Sequence, residues 1–490
     1  MTLQAHDTTP LDNPTRWGLS LDAILALGDQ LHQTWMRYRD CFKTKTRDPS
    51  AYAWIYLKGL LTMDTDRTYA NIARRVVDPA DDGQNLQQFM SDSPWSAQAV
   101  IQQVQHELAA TPALHTGGML ILDESAEERA GDHTAGAAPQ YNGRLGKIAM
   151  SQVGVFLAFA KGSIWTWVAG TLFLPEVWFS PTFAAERARL GIPATRTFQT
   201  KIVLGWELIQ QVVAAELPFE MILCDDFYGR SGWLRAQIDH AGLRYMADIP
   251  MNTLVYLAPP IMGVPVTRGR RGRPATQARV VNGVVPLAVS TVAQRSDTVW
   301  TTFPIRETER GHLADPCAVR RVWVIEEGQV VAVWLVMRQE TPTKWTYALS
   351  NAAQTTSAAT LIEQKCLRYG IECANREAKS ELGFDTLQAQ KYQAWEHHLA
   401  LTILATWFLA QTRITWAETY QRDPTLAAQL AVVQLPALSV ANVRELLQAV
   451  VPLHQLSPEE ALHVVVQQLI NRTRSTASRL KMQEQSREPT

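Results

Sequence analysis

The sequence predicts a multidomain α/β protein, and three observations support this prediction. The chain has 490 residues, more than a single hydrophobic core usually accommodates, so several domains are expected. Apolar residues make up 46% of the chain and charged residues 19%, a composition typical of an ordered protein. From residue 113 onward, buried strand patterns alternate with amphipathic helix patterns, as they do in sheets covered by helices.

Charge and cysteine content limit the expected partners and compartment. The formal net charge is −1, so a nucleic acid would have to be bound by local basic segments. The five cysteines form no C-x-x-C pair, which argues against a disulfide framework or a zinc ribbon. The longest apolar stretch, residues 399–410, is too short to span a bilayer, and no signal peptide is recognisable. We therefore expect a cytoplasmic protein without a membrane partner.

Residues 1–112 predict a helical N-terminal DNA-binding domain. Apolar residues recur at helical spacing in three segments between residues 21 and 108. Residues 67–75, a polar turn and residues 85–90 are compatible with a helix-turn-helix. The side chains that it would present to DNA are Arg74, Arg75 and Gln87. A helical bundle with solvated charges fits this segment equally well.

Residues 113–250 predict the first part of a catalytic core. A buried strand ends at Asp123, two β-rich runs and an amphipathic helix follow, and a second buried strand ends at Asp225. A helix and a strand at 244–249 complete the series. Three strands, helix, strand, helix, strand is the order of an RNase H-like sheet.

The remainder of the chain divides into three further regions. Residues 251–350 contain many short strand patterns separated by turn-forming residues, and they predict a β-rich insertion. Residues 351–415 predict core helices that carry a third acid. Residues 416–490 predict a helical C-terminal region that ends in a frayed tail.

Three acids are candidates for metal-dependent phosphodiester chemistry. Asp123 and Asp225 end neighbouring strands, where open α/β sheets place their ligands. Glu372 would be supplied by a helix, on one face with three cations. Those cations are Arg368, Arg376 and Lys379. Two-metal cleavage requires clustered carboxylates and cations that meet phosphates, although an exposed, salt-bridged helix would show the same pattern.

The spacing of Arg368, Glu372 and Lys379 resembles the signature helix of insertion-sequence transposases of the DDE superfamily. Lys365 stands where that signature has a Tyr. Other blocks are similar to the subgroup called insertion-sequence family seven-oh-one, from about residue 20 to 415. These blocks are residues 123–125, 140–147, 151–158, 172–178, 198–201 and the Asp-Asp-Phe-Tyr-Gly at 225–229.

This resemblance implies a DNA transposase that moves an insertion sequence by a cut-and-paste route. Asp123, Asp225 and Glu372 would be catalytic and would hold two Mg²⁺ or Mn²⁺ ions. The expected partners are double-stranded DNA, both the terminal inverted repeats and the target, and a second copy in a homodimer on DNA. A hairpin intermediate supported by the β-rich insertion is also implied. Alternatives are another nuclease or integrase on the same fold, and a domesticated or decayed copy that binds DNA without cutting, which Lys365 leaves open.

Two basic segments are candidate DNA contacts. Residues 267–274 resemble an AT-hook core that could lie in a minor groove, with a solvated loop as the alternative. Its arginines are Arg268, Arg270, Arg271 and Arg273. Arg144 and Lys147 lie in a glycine-containing turn near the first acid and are predicted to contact the DNA backbone, because the turn lacks the spacing of a nucleotide-binding loop.

Two further groups of side chains have a structural interpretation. Trp300, Trp323 and Trp334 could stack on an unpaired base, but the alternation of their strands favours the core. His397 and His398 have no metal-ligand partner at helical spacing. We predict that they pack or contact the backbone.

Overall fold

The computed structural model describes residues 10–265, 276–308 and 311–485. Its N-terminal part is helical, in agreement with the apolar spacing. The helices are α1 (Leu21–Leu25), α2 (Leu27–Tyr38), α3 (Ser50–Thr62), α4 (Tyr69–Val76), α5 (Gln84–Ser91) and α6 (Ala97–Ala109). Leu31, Leu57 and Val104 are fully buried, so these helices pack their apolar sides into the core.

The α4–α5 pair does not present the predicted basic side chains to a ligand. Arg74 is buried, and its guanidinium donates to Asn71 Oδ1 at 3.3 Å. The carbonyl oxygen of Arg75 accepts from the His454 amide at 2.9 Å. Gln87 is exposed. The expectation that Arg74 faces DNA is therefore wrong, because the amphipathic pattern of α4 turns this side chain toward the body of the protein.

A ten-stranded sheet forms the centre of the molecule. Its strands are β1 (Met119–Glu128), β2 (Ala138–Asn142), β3 (Lys147–Lys161), β4 (Ile164–Phe173), β5 (Met221–Cys224), β6 (Tyr245–Ile249), β11 (Thr301–Thr308), β12 (Gly311–Glu326), β13 (Gln329–Thr341) and β14 (Lys344–Ser350). The two-residue strands β7 (Leu254–Val255), β8 (Met262–Gly263), β9 (Arg279–Val280) and β10 (Leu287–Ala288) form two small separate sheets.

The pairing at the centre follows the predicted strand order. β1 pairs antiparallel with β3, and β3 with β4, so these three strands form a meander. β1 also pairs parallel with β5, and β5 parallel with β6. The crossovers between the parallel strands contain α7 (Ala184–Arg189), α8 (Lys201–Ala214), α9 (Asp226–Gly229) and α10 (Gly232–His240).

The strands of residues 301–350 continue this sheet and do not form a sheet of their own. β14 pairs antiparallel with β6, with Tyr347 opposite Ile249, and β13, β12 and β11 follow in order. The interpretation of 251–350 as a separate β-rich insertion therefore does not hold for this half of it. Alternating patterns predict strands, but they do not specify which free sheet edge a hairpin will join.

Several helices follow the sheet in the chain, and the first three of them pack against it. They are α12 (Ala358–Cys366), α13 (Tyr369–Ser380), α14 (Tyr392–Thr419), α15 (Leu426–Gln429), α16 (Val440–Val450) and α17 (Pro458–Gln485), and α11 (Val289–Ala293) lies earlier, after β10. α14 is buried on all sides over most of its length, with Leu401 and Trp407 fully inaccessible. Within the described residues, no helix combines the length and apolar character needed to cross a bilayer.

Candidate active site

Asp123 and Asp225 lie side by side at one edge of the parallel strands. Leu122 on β1 is directly opposite Cys224 on β5 in parallel register, so the next residue of each strand occupies the same level of the sheet. The sequence prediction that these two acids meet is consistent with this register. Leu122 and Cys224 are almost fully buried. Asp225 directly follows β5, whereas Asp123 lies within β1, which continues to Glu128 and not, as the sequence predicted, only to Asp123.

The local backbone orients both carboxylates. Asp225 is the N-cap of α9, and its Oδ1 accepts from the amides of Phe227 and Tyr228, both at 3.1 Å. Oδ1 of Asp123 accepts from the amide of Glu124 at 2.8 Å. These local backbone bonds use one oxygen of each carboxylate. The second oxygen of Asp123 has the Asn375 amide nitrogen at 3.5 Å, which leaves it a further lone pair for a ligand.

The two acids are electrostatically coupled. Burial, together with the charge of Asp225, raises the pKa of Asp123 to about 7, against the effects of the Glu124 amide and Arg368. Burial also raises the pKa of Asp225 to about 6, against the hydrogen bond from Tyr228. Two buried carboxylates at one level of a sheet lack sufficient compensating positive charge, and such an arrangement is typical of functional sites.

Helix α13 is attached to this edge by side chains that the sequence analysis did not identify. The indole of Trp167 on β4 donates to Asn375 Oδ1 at 3.0 Å. This bond directs the Asn375 amide nitrogen toward Asp123 Oδ2, 3.5 Å away. One turn later, Lys379 forms an ion pair with Glu127 on β1. An asparagine within a helical signature carries no distinctive pattern, so only its contacts reveal it.

The structure does not bring Glu372 to the two aspartates. Its side chain is 52% exposed and pairs with Arg368, Oε1 to Nη2, at 3.1 Å. In the described part of the chain, no group of three His, Cys, Asp or Glu side chains is arranged to hold a metal ion. Two members of the predicted triad are therefore assembled, and the third lies on the adjacent helix with its carboxylate directed to a guanidinium.

Arg368 lies among four carboxylates. Its Nε is 3.1 Å from Asp248 Oδ2. Burial lowers the pKa of this guanidinium, but the charges of Asp248, Glu372, Asp123 and Asp225 outweigh that effect and raise it overall. Arg368 therefore supplies the positive charge nearest to the paired aspartates in this structure.

Lys365, the residue that departs from the transposase signature, has a structural partner in Asp248. Lys365 is almost fully buried, and its Nζ is 2.6 Å from Asp248 Oδ1 on β6. Asp248 thus forms ion pairs with both Lys365 and Arg368, which lie where α12 ends and α13 begins. The sequence analysis missed this acid, although it lies near the end of β6, the third of the parallel strands.

The acids that neighbour the pair have different surroundings. Glu124 Oε1 is 2.8 Å from Lys201 Nζ at the start of α8, and that ammonium lies 5.4 Å from the ring centres of Phe173 and Phe227. Asp226 is more than half exposed and pairs with Arg230. Lys201 is a site residue that sequence reasoning did not single out.

The cations predicted to contact DNA differ in their exposure and in their contacts. Arg144 and Lys147 are exposed in the tight turn between β2 and β3, beside exposed Tyr141 and Ile148. Arg376 is exposed, with a nitrogen 3.6 Å from Cys373 Sγ, whereas Lys379 is held by Glu127. The remaining four lie outside the described residues: Arg268, Arg270, Arg271 and Arg273.

The structural interpretations of the tryptophans and histidines agree with the contacts. Trp300 and Trp334 are half-buried against the core, and Trp323 is also half-buried. Both rings of His397 and His398 are buried, and each lies within hydrogen-bond distance of a backbone carbonyl to which a ring N–H donates, for example His398 Nε2 to Phe384 O at 3.1 Å. Burial lowers the pKa of His397 to about 4 and that of His398 to about 3, so both are neutral.

Comparisons with known proteins identify relatives of the chain. A family model described as DDE superfamily endonuclease matches residues 37–312, which is more than half of the chain and includes Asp123 and Asp225. The probable transposase for insertion sequence element IS701 of Microchaete diplosiphon is 25% identical over 185 residues, or 36% of this chain. The match spans 44% of that relative, so less than half of its length is represented here.

Proposed function

Because the chain belongs to the DDE superfamily endonucleases, we propose that it is the transposase of a bacterial insertion sequence, acting in the cytoplasm by a cut-and-paste route. The observation that carries this proposal is the pairing of Asp123 and Asp225 on adjacent parallel strands, with the pKa of both carboxyls raised by burial. The name of the IS701 relative supports the same activity.

The paired carboxylates fit a divalent metal. Both are buried close together, and each has an oxygen that is not used by the local backbone, so a cation between them would relieve their repulsion. Their hard oxygen atoms suit Mg²⁺ or Mn²⁺. Two such ions, when bound, would activate the attacking oxygen and stabilise the leaving oxygen of a phosphodiester.

We assign Glu372 as the third ligand. Its helix is already docked on β1 through Asn375, one turn further along. The ion pair that now holds Glu372 is half exposed, and exposed pairs contribute only about 0–1 kcal/mol. Releasing the carboxylate from Arg368 therefore costs little, and the guanidinium, which also pairs with Asp248, would offer its remaining donors to a DNA phosphate.

DNA contact is also proposed for four further cations. Arg144 and Lys147 project from an exposed turn, and Arg376 lies on the exposed side of α13. Lys379 would have to exchange Glu127 for a phosphate. The substrate proposed is double-stranded DNA, the element's terminal inverted repeats and the target, bound by a homodimer.

The test is cleavage of labelled DNA carrying the element's own ends, with purified protein and Mg²⁺. Wild type should cut at the ends, whereas Asp123→Asn, Asp225→Asn and Glu372→Gln should bind without cutting. The matched control is Asp226→Asn, which neutralises an exposed acid next to the site and should cut like wild type. Cleavage by Asp123→Asn would contradict the assignment.

One observation favours a second candidate, a transposase-derived protein that binds DNA without cutting it. Among the described residues the third acid does not join the pair. Binding of the ends without cleavage by wild type, with either metal, would support this alternative. Cleavage without strand transfer would instead indicate another nuclease on the same fold.

A further inference from the structure

The last helix carries an apolar surface that the rest of the chain leaves exposed. α17 comprises 28 residues. Its first turn is capped, since the Glu460 amide donates to Ser457 Oγ at 3.2 Å and the Ser457 amide donates to Glu460 Oε2 at 2.8 Å. Val464 is half-buried, but beyond it every α17 side chain that the structure describes is exposed.

The exposed apolar residues of α17 form one stripe. Leu462, Val466 and Leu469 are 65%, 46% and 57% exposed. Thr473 and Thr476 continue the same line, so the spacing is four, three, four and three residues. This is the heptad spacing of a helix that pairs with another helix in a coiled coil.

The two threonines are compatible with an apolar seam. Thr473 Oγ1 donates to the carbonyl of Leu469 at 2.8 Å, and Thr476 Oγ1 donates to that of Arg472 at 3.0 Å. Their hydroxyls are therefore satisfied within the helix, and a partner would bury no unpaired donor at these positions. Val465, 50% exposed, and Ile470, 39% exposed, widen the stripe on its two sides.

We propose that α17 pairs with α17 of a second copy of this chain, as an antiparallel two-stranded coiled coil that forms without DNA. At about 1.5 Å per residue the 28-residue helix is about 42 Å long, and the stripe from Leu462 to Thr476 supplies about two heptads of seam from each copy. A long amphipathic helix exposed to water is marginal alone and is stabilised by burying its apolar face.

The distribution of charge sets the orientation. Glu459 and Glu460 lie in the first turn, whereas Arg472, Arg474 and Lys481 lie in the second half. In an antiparallel pair the acidic turn of one copy faces the basic half of the other. A parallel pair would place like charges together along the whole seam, which is unfavourable.

The first experiment measures the mass of the full-length protein by light scattering without DNA or added metal, at about 10 µM. Wild type should have twice the chain mass of 54.8 kDa. Leu469→Glu places a charge in the seam and should weaken association at least 100-fold, which yields monomers. Gln467→Glu, which adds the same charge on the other side of the helix, should remain dimeric.

Two results would overturn the proposal: a monomeric wild type, including one that dimerises only on DNA, or a Leu469→Glu variant that is as dimeric as wild type. Circular dichroism and thermal unfolding of both variants establish that the body is folded. The measured quantity is the mass of the protein without DNA, which does not depend on cleavage. The dimer proposal can therefore be wrong while the proposed nuclease function is right, and the nuclease function can be wrong while the dimer proposal is right.

A charge exchange tests the orientation. Glu459→Lys alone and Lys481→Glu alone should each weaken the dimer several-fold. The two changes in one chain should restore it, because in an antiparallel pair each new lysine faces the partner's new glutamate. If wild type is dimeric but the double variant does not regain the dimer, the antiparallel arrangement is rejected.

Discussion

Gly229→Ala should damage the active-site edge through a backbone collision. Gly229 is the last residue of α9 and lies against β6. A Cβ at this position would be 1.9 Å from the carbonyl oxygen of Asp248. An ordinary contact needs about 3.5 Å, so helix and strand would have to separate by about 1.5 Å. Since both sides of the contact are main chain, we expect a cost near the upper end of the usual range for overpacking, about 3 kcal/mol.

Gly232→Ala is the matched control. It lies three residues away, at the start of α10, and the nearest atoms to its Cβ would be 3.7 Å away. The same added methyl group meets no obstacle there. Alanine is also the better helix former, so we expect a change within about 1 kcal/mol, neutral or stabilising.

The assay is thermal and urea unfolding of both variants, followed by DNA cleavage. The Gly229 variant should unfold at a clearly lower temperature than wild type. Because Asp225 is held by the first amides of α9, displacement of that helix should also slow cleavage, whereas the Gly232 variant should match wild type in both readouts. Equal stability of the two variants would refute the close approach of α9 and β6.

Three further predictions concern buried charges. The pKa of Asp123 is about 7 in the folded chain but about 4 unfolded, so stability falls as pH rises between these values. Asp123→Asn in EDTA should therefore gain up to about 4 kcal/mol at pH 8 and nothing at pH 4 in thermal unfolding; an equal gain at both would contradict this. Lys201→Gln leaves the Glu124 carboxylate without its cation and should cost about 1–3 kcal/mol, with Glu124→Gln in the same chain restoring most of it in a double-mutant cycle. Arg444→Met removes the buried ion pair with Glu381 and should cost about 3–5 kcal/mol by urea unfolding; a loss below 1 kcal/mol would show that water replaces the pair.

The local patterns of the sequence were sufficient for the centre of the fold. Continuous apolar runs that end in an acid predicted β1 and β5 with Asp123 and Asp225, and the structure has these strands as parallel neighbours. The lack of ligand partners around His397 and His398 correctly predicted backbone contact. Among the core helices predicted in residues 351–415, the pattern did not show the break between α12 and α13, at residues 367 and 368.

The sequence by itself determined which central segments are strands or helices and which apolar runs lead into an acid, because apolar periodicity and chain order are local properties. It did not determine that β1 continues past Asp123 to Glu128. Only the tertiary structure decided that β14 pairs with β6, that Lys365 and Arg368 share Asp248, and that Asn375 faces Asp123. Each of these contacts joins segments far apart in the chain. Their free energy depends on distance and burial in the folded protein, and no spacing within one segment encodes either.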